Sequence, residues 1–268
     1  MNAYTAMSYR EIASRYNAIN ALPPRAALQV GSAIARYARG EMLLDLGAGA
    51  GRLAIPAALA GCRVVALDLE LAMLRAGWRE ASLQAVDLPS VQADAVRLPL
   101  CDNSFDAVMI NNLLHLVPQW EAVLVEAVRV MRPGGVLIQG RDWLDPQSCA
   151  GRMRAKWREV IAMLRPQMRP TAAAGPVLFQ TLARMGGRVE AEISAAEWTE
   201  CLSPARVLHR MRQRMHNETW ALDDELLEAG LDLFEPWVRQ TFDDIHAEEE
   251  VVWRFMMTMT YGLKGDGS

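Results

Sequence analysis

The sequence predicts an α/β protein built on a doubly wound, mostly parallel sheet, and three observations carry that prediction. Short aliphatic runs recur at residues 42–46, 63–67 and 105–110. Helical stretches at 52–60 and 71–81 alternate with them, and the first run ends in a bend with glycines at every second position. Strands covered on both faces read as continuous aliphatic runs. A helix between successive strands makes each connection a crossover, so parallel pairing follows.

Ahead of the first run, residues 8–20 and 25–39 have the apolar spacing of amphipathic helices, interrupted at Pro23-Pro24 and ended by Gly40. Beyond the third run, 119–131 reads as a helix and 135–139 as a strand, with Arg132-Pro133-Gly134 turning between them. The alternation then gives way to Arg- and Met-rich helical sequence through residue 164 and a linker containing Pro and Ala. A helix at 177–185 closed by Gly186-Gly187 and a strand at 189–193 follow. Residues 204–245 read as helical throughout, and the β-branched and aromatic stretch 251–261 as a terminal edge strand.

A chain of 268 residues is long enough to bury a sizeable core. Its net charge of -4 lacks the basic surplus that broad nucleic-acid affinity needs, which favours a small-molecule partner. Cys62, Cys101, Cys149 and Cys201 lie far apart with no CxxC pair, so neither a zinc site nor a disulfide framework is expected. No apolar run suits a secretory signal or a bilayer span, so a cytoplasmic location without a membrane partner is expected.

The chemistry concentrates in Leu43-Leu44-Asp45-Leu46-Gly47-Ala48-Gly49-Ala50-Gly51-Arg52-Leu53, a strand running through the bend into a helix. Without a Cβ, main chain can approach a ligand closely. The dinucleotide fingerprint puts its last glycine where this chain has Arg52, so the spacing suits a ligand without phosphates. Asp68 ends the second run about twenty residues on, where a carboxylate accepts from ribose hydroxyls; it is equally placed to cap the helix beginning near Leu71. Then come Gln92-Ala93-Asp94-Ala95, Leu98-Pro99 and Asn103-Ser104-Phe105-Asp106. Asn111-Asn112-Leu113-Leu114-His115 stands at the carboxyl end of a strand, where open α/β sheets take ligands. Arg129-Val130-Met131-Arg132-Pro133-Gly134-Gly135 closes the series.

In that order, across residues 43–140, these segments resemble the class I S-adenosylmethionine-dependent methyltransferases, especially the small-molecule branch of ubiquinone and menaquinone biosynthesis. The resemblance implies a seven-stranded, Rossmann-like sheet with helical cap elements. It implies S-adenosyl-L-methionine as cofactor and S-adenosyl-L-homocysteine as its product. Asp45, Gly47, Ala48, Gly49 and Gly51 would form the loop at the methionine end, Asp68 would hold the ribose, and Asp94 would accept from the adenine amino group. Leu69, Met73, Ala95 and Asn111 would complete the cofactor contacts, and the turn at 129–135 would be structural. Residues 1–268 would then be one methyltransferase domain, with a helical lid at 1–40, a cofactor half at 41–140 and a substrate half at 141–268. That last half would include a helical insertion at about 204–249, and a homodimer stays open.

Methyl transfer needs the acceptor atom aligned with the carbon–sulfur bond and water excluded, and a phenol or alcohol acceptor must also lose a proton. His115 is the candidate base; it reads equally well as a packed, hydrogen-bonded residue shaping the pocket. Arg141 and Trp143 are candidates for contact with an anionic or aromatic substrate, the alternative being a surface Arg beside a buried Trp. The basic clusters at 152–169 and 206–214 read as partners for the acidic stretch 223–250. The expected activity is methylation of an O, N or C atom of a small metabolite. A cofactor-binding regulator or partner subunit is the alternative, as is a methyltransferase acting on a macromolecule. Asn111-Asn112-Leu113-Leu114 departs from the Asn/Asp-Pro-Pro-aromatic motif of nucleic-acid N-methylation, and Arg52 argues against an NAD-dependent oxidoreductase.

Overall fold

A computed structural model describes residues 9–13, 15–38, 42–166, 175–220 and 222–264. Its elements begin with helices α1 (Tyr9–Ile12), α2 (Tyr16–Asn20) and α3 (Pro24–Ala38), followed by β1 (Met42–Leu46), α4 (Ala54–Leu59), β2 (Arg63–Asp68), α5 (Leu71–Leu83) and β3 (Ser90–Gln92). Next come β4 (Phe105–Asn111), a 3-10 turn at Leu114–Leu116, α6 (Trp120–Val130), β5 (Met131–Leu144), α7 (Cys149–Leu164) and α8 (Pro176–Arg184). The chain ends with β6 (Arg188–Val189), β7 (Ile193–Leu202), α9 (Pro204–Arg212), α10 (Asn217–Trp220), α11 (Asp224–Thr241) and β8 (Glu249–Tyr261).

Where one domain with sequential halves was expected, the chain divides into two compact units that interleave in sequence. A sheet unit takes Ile12–Arg141, Thr171–Ala196 and Phe255–Ser268; a helical unit takes Met1–Glu11, Asp142–Pro170 and Glu197–Arg254.

In the sheet unit, β1 pairs in parallel with β2 on one side and β4 on the other, β2 with β3, and β4 with β5. The order is β3-β2-β1-β4-β5-β8-β6, with β7 also on β8. The sheet has eight strands where seven were implied. The expected strand at 189–193 is in fact the end of β6 and the start of β7, which is longer than predicted because Glu197 and Glu200 obscure its period. The stretch at 251–261 is a strand but not an edge, because β8 has neighbours on both sides and runs antiparallel to β6. The expected turn at 132–134 lies within β5, as an irregularity where Met131 faces Phe105 and Val136 faces Ala107.

One face of this sheet is sealed by α6, whose Trp120, Val123, Leu124, Ala127 and Val128 pack on Leu44, Leu46, Val108 and Leu137. Each large aliphatic side chain buried there contributes about 1.5–3 kcal/mol, which is what makes the strand ends rigid supports. Helix α3 buries Ala26, Val30, Ile34 and Ala38. At Gly31 it approaches α4 so closely that a Cβ would lie 2.2 Å from the Pro56 carbonyl oxygen. Residues 24–38 of the expected lid are therefore packed along one face; residues 1–8, 14, 39 and 40 of it lie outside the described residues.

In the helical unit, Trp157 of α7 meets Phe234 of α11 edge-on with ring centroids 5.3 Å apart. Gly230 makes room, since a Cβ there would lie 2.8 Å from Trp157 Cη2. The expected continuous helix over 204–245 is broken after α9, where Arg214 takes φ +51°. Its Nη1 donates to the carbonyls of Thr219 and Leu222 at 2.7 Å each, so one cation organises the turn. The arginine clusters do pair with carboxylates. Arg165 meets Asp223, Arg212 meets Glu235 and Arg214 meets Asp224, while Arg154 and Arg158 share Glu218 and Arg210 takes Glu200. Glu200 and Glu218 stand outside the acidic stretch that was expected to supply the partners.

Candidate active site

The strand order reverses about β1, with β2 and β3 on one side and β4 and β5 on the other. Such a reversal leaves a crevice outside the carboxyl ends of the strands where the two connections diverge. The glycine bend occupies that place. Gly47, Gly49 and Gly51 have φ of +79°, +56° and +80°, a conformation that side-chain-bearing residues rarely adopt. The N–H groups of Gly47 and Ala48 both donate to the Leu67 carbonyl, at 2.8 and 2.9 Å, and the Gly49 N–H donates to Asp68 Oδ2 at 2.8 Å. Met73 backs the bend: a Cβ on Gly49 would lie 3.2 Å from its Cε and 4.0 Å from Tyr16 Cε1.

Asp68 holds both the bend and the next helix, for its Oδ1 accepts the Glu70 N–H at 2.8 Å. The ribose and capping readings therefore meet in one carboxylate. Burial raises its pKa, with the Glu70 and Gly49 N–H groups opposing the rise. Asp45 is buried more deeply, on β1 beneath the bend, and accepts the Ala54 N–H at the start of α4. Burial pushes its pKa up to about 7, with the negative charge of Asp68 acting in the same direction. Its observed contact is to the bend's own helix.

Asp94 is exposed and its Oδ1 accepts the Val96 N–H at 3.1 Å; Ala95 beside it is buried and Leu69 is exposed. The loop carrying them is tied down by Glu126 and Arg129 of α6. Glu126 accepts the Leu98 N–H, and Arg129 donates to the carbonyls of Leu98 and Leu100 and to Asp102. Asp106 accepts the Met42 N–H and pairs with Arg132, so the motifs at 98–106 and 129–135 brace the strands. Asn111, at the end of β4, carries a buried Oδ1 with no hydrogen-bond partner. Gly140 faces it across the sheet, where a Cβ would lie 3.1 Å from that oxygen and 2.5 Å from Phe255 Cζ.

His115 lies on the 3-10 turn after β4. Protein atoms around its ring lower its pKa, and the open part of the residue limits that drop. Arg141 and Trp143 do not follow the fifth strand as expected but lie within β5, which runs on to Leu144, and they fall in different units. Arg141 makes two bonds to Glu192, at 2.7 and 2.6 Å. Trp143 carries the Arg254 guanidinium 4.7 Å from its ring centroid. The sequence reading passed over α2, where Asn17 Nδ2 donates to the Ala50 carbonyl at 3.0 Å and the Asn20 carbonyl accepts from Arg52 Nε at 2.6 Å. Its one signal was the i, i+3 spacing of two asparagines on an otherwise apolar helix.

A parallel sheet that reverses about β1, with a glycine bend and a carboxylate at the end of β2, is a Rossmann-like arrangement. Residues 44–139 match the family described as a methyltransferase domain. Over 159 residues the chain is 33% identical to a demethylmenaquinone methyltransferase of Renibacterium salmoninarum, a match covering 59% of this chain and 64% of that one. A demethylmenaquinone methyltransferase of a Mycobacterium species is 35% identical over 144 residues, covering 54% and 59% of the two chains. The chain spans less than two thirds of these relatives' length. A solved cyclase, SpnF, shares the fold with a TM-score of 0.54 at 15% identity over 90% of this chain and 82% of its own. Fold alone therefore leaves the reaction open.

Proposed function

We propose that this chain transfers the methyl group of S-adenosylmethionine to a small-molecule acceptor. The observation that carries the reading is the Gly49–Asp68 contact: a main-chain bend stripped of side chains, tied to a buried carboxylate at the sheet's point of reversal. The residues present fit the cofactor. Gly47 to Gly51 would lie against its methionine end, Asp68 would hold the ribose hydroxyls through lone pairs not used by Gly49 and Glu70, and Asp94 would meet the adenine. The unpartnered Asn111 Oδ1 supplies a further acceptor.

The bound sulfonium supplies an already activated methyl group, so the protein's task is orientation and exclusion of water. With its pKa lowered, His115 is neutral near pH 7 and able to accept a proton from an acceptor hydroxyl. Given what the relatives are named for, demethylmenaquinone is the first acceptor to assay. The site lies outside any bilayer-crossing element: among the described residues no helix is long and apolar enough to span a membrane. Calorimetry with S-adenosylhomocysteine and with NAD tests the cofactor assignment, and binding of NAD alone would reverse it. Product formation from any metabolite acceptor then separates the enzyme from a cofactor-binding regulator.

A further inference from the structure

We propose that Asn17 of α2 is a cofactor-binding residue whose Oδ1 accepts a hydrogen bond from the α-ammonium group at the methionine end of S-adenosylmethionine. The proposal rests on the cofactor reading above and extends it to an element that lies outside the matched domain of residues 44–139.

The orientation of the Asn17 amide is settled by its partner. The Ala50 carbonyl can only accept, so the group 3.0 Å from it is Nδ2 and the oxygen points elsewhere. That oxygen is buried and has no hydrogen-bond partner. A buried acceptor without a donor has given up water and gained nothing, so one held against the bend by its own amide nitrogen asks for a ligand that brings N–H groups.

The chemistry of that ligand follows. The orphan is an acceptor, which excludes a carboxylate or phosphate as its partner, and an ammonium group carries three N–H donors with a charge that strengthens each bond. The position of α2 is not incidental to the bend. Asn17 holds Ala50, Arg52 holds the Asn20 carbonyl, and Tyr16 Cε1 stands 4.0 Å from where a Cβ on Gly49 would be. Three contacts within five residues of helix lay this segment across the glycines.

The test compares two ligands on the full chain and on Asn17→Ala. S-adenosylhomocysteine carries the ammonium group, whereas 5′-deoxy-5′-methylthioadenosine keeps the nucleoside and thioether and lacks the amino-acid group. By calorimetry, Asn17→Ala should weaken S-adenosylhomocysteine roughly ten- to a hundredfold, the loss of a hydrogen bond to a charged group. Methylthioadenosine should stay within about twofold, which also shows that the variant is folded. An equal loss for both ligands would mean that Asn17 only braces the bend, and no loss for either would mean that it contributes nothing; each result overturns the proposal. If the unaltered protein binds neither ligand, the cofactor reading itself falls, a failure distinct from that of Asn17.

Discussion

Beneath the glycine bend of the sheet unit, the buried charge is acidic and faces main chain. Asp45 and Asp68 lie on adjacent strands, accept N–H groups from Ala54, Gly49 and Glu70, and are pushed up in pKa by burial. In the helical unit charged groups pair arginine to carboxylate, while the buried indole nitrogens of Trp157 and Trp253 lack a partner, as does His216. The His216 ring is held neutral, with its pKa down at about 4 chiefly through burial, and its Nε2 has no partner. The contrast teaches where each unit directs its polar chemistry. Pairs satisfied internally hold helices in register, whereas carboxylates that hold only backbone keep lone pairs for something else.

The sharpest way to break that contrast is at the bend. Gly49→Arg would place a side chain at φ +56° against Met73, and Asp68→Ala would remove the acceptor of the Gly49 N–H. Either should weaken S-adenosylhomocysteine by more than about a hundredfold, from combined loss of close approach and of a charged acceptor. Calorimetry showing both variants unchanged would end the assignment. In the helical unit, the equivalent blow is to packing. Trp157→Ala should cost roughly 3–5 kcal/mol, read as a drop in denaturation midpoint, because a fully buried ring against Phe234 leaves a cavity. A loss below about 1 kcal/mol would show that this core collapses readily.

The two units should also answer pH in opposite senses. Asp45 binds its proton more tightly when folded, so its contribution to stability is full below about pH 4 and is lost as pH rises toward 7. His216 resists protonation when folded, so stability falls as pH drops from about 6.5 toward 4. Each effect is at most a few kcal/mol. Asp45→Asn should flatten the upper limb of a plot of melting temperature against pH, and His216→Gln the lower one. If exchanging either residue moved the other limb, the separation of roles would be wrong. The smallest effect is expected at Arg141→Ala, where an exposed ion pair with Glu192 should contribute less than about 1 kcal/mol to chemical denaturation.

Much of the sheet was legible because local pattern and burial coincide there. Residues 42–46 read as a strand and are one, since every position past the first is buried and aliphatic save Asp45. Parallel pairing followed from strand and helix alternating. β7 was not legible, because one face of it is open and its glutamates break the period. The helix break at Arg214 was hidden because a side chain that donates to carbonyls five and eight residues on leaves no mark in the apolar period.

By itself, then, the sequence determined the glycine bend and the strand-end carboxylate behind it. Glycine adopts those dihedrals without strain, and a short carboxylate after an aliphatic run reaches back to the bend. What the tertiary structure decided was which distant groups meet there. A helix laid over the bend brings Asn17 to Ala50, and strands aligned through backbone hydrogen bonds set Asn111 beside Gly140. Backbone pairing is nearly blind to side-chain identity, so the positions it juxtaposes cannot be read from spacing along the chain.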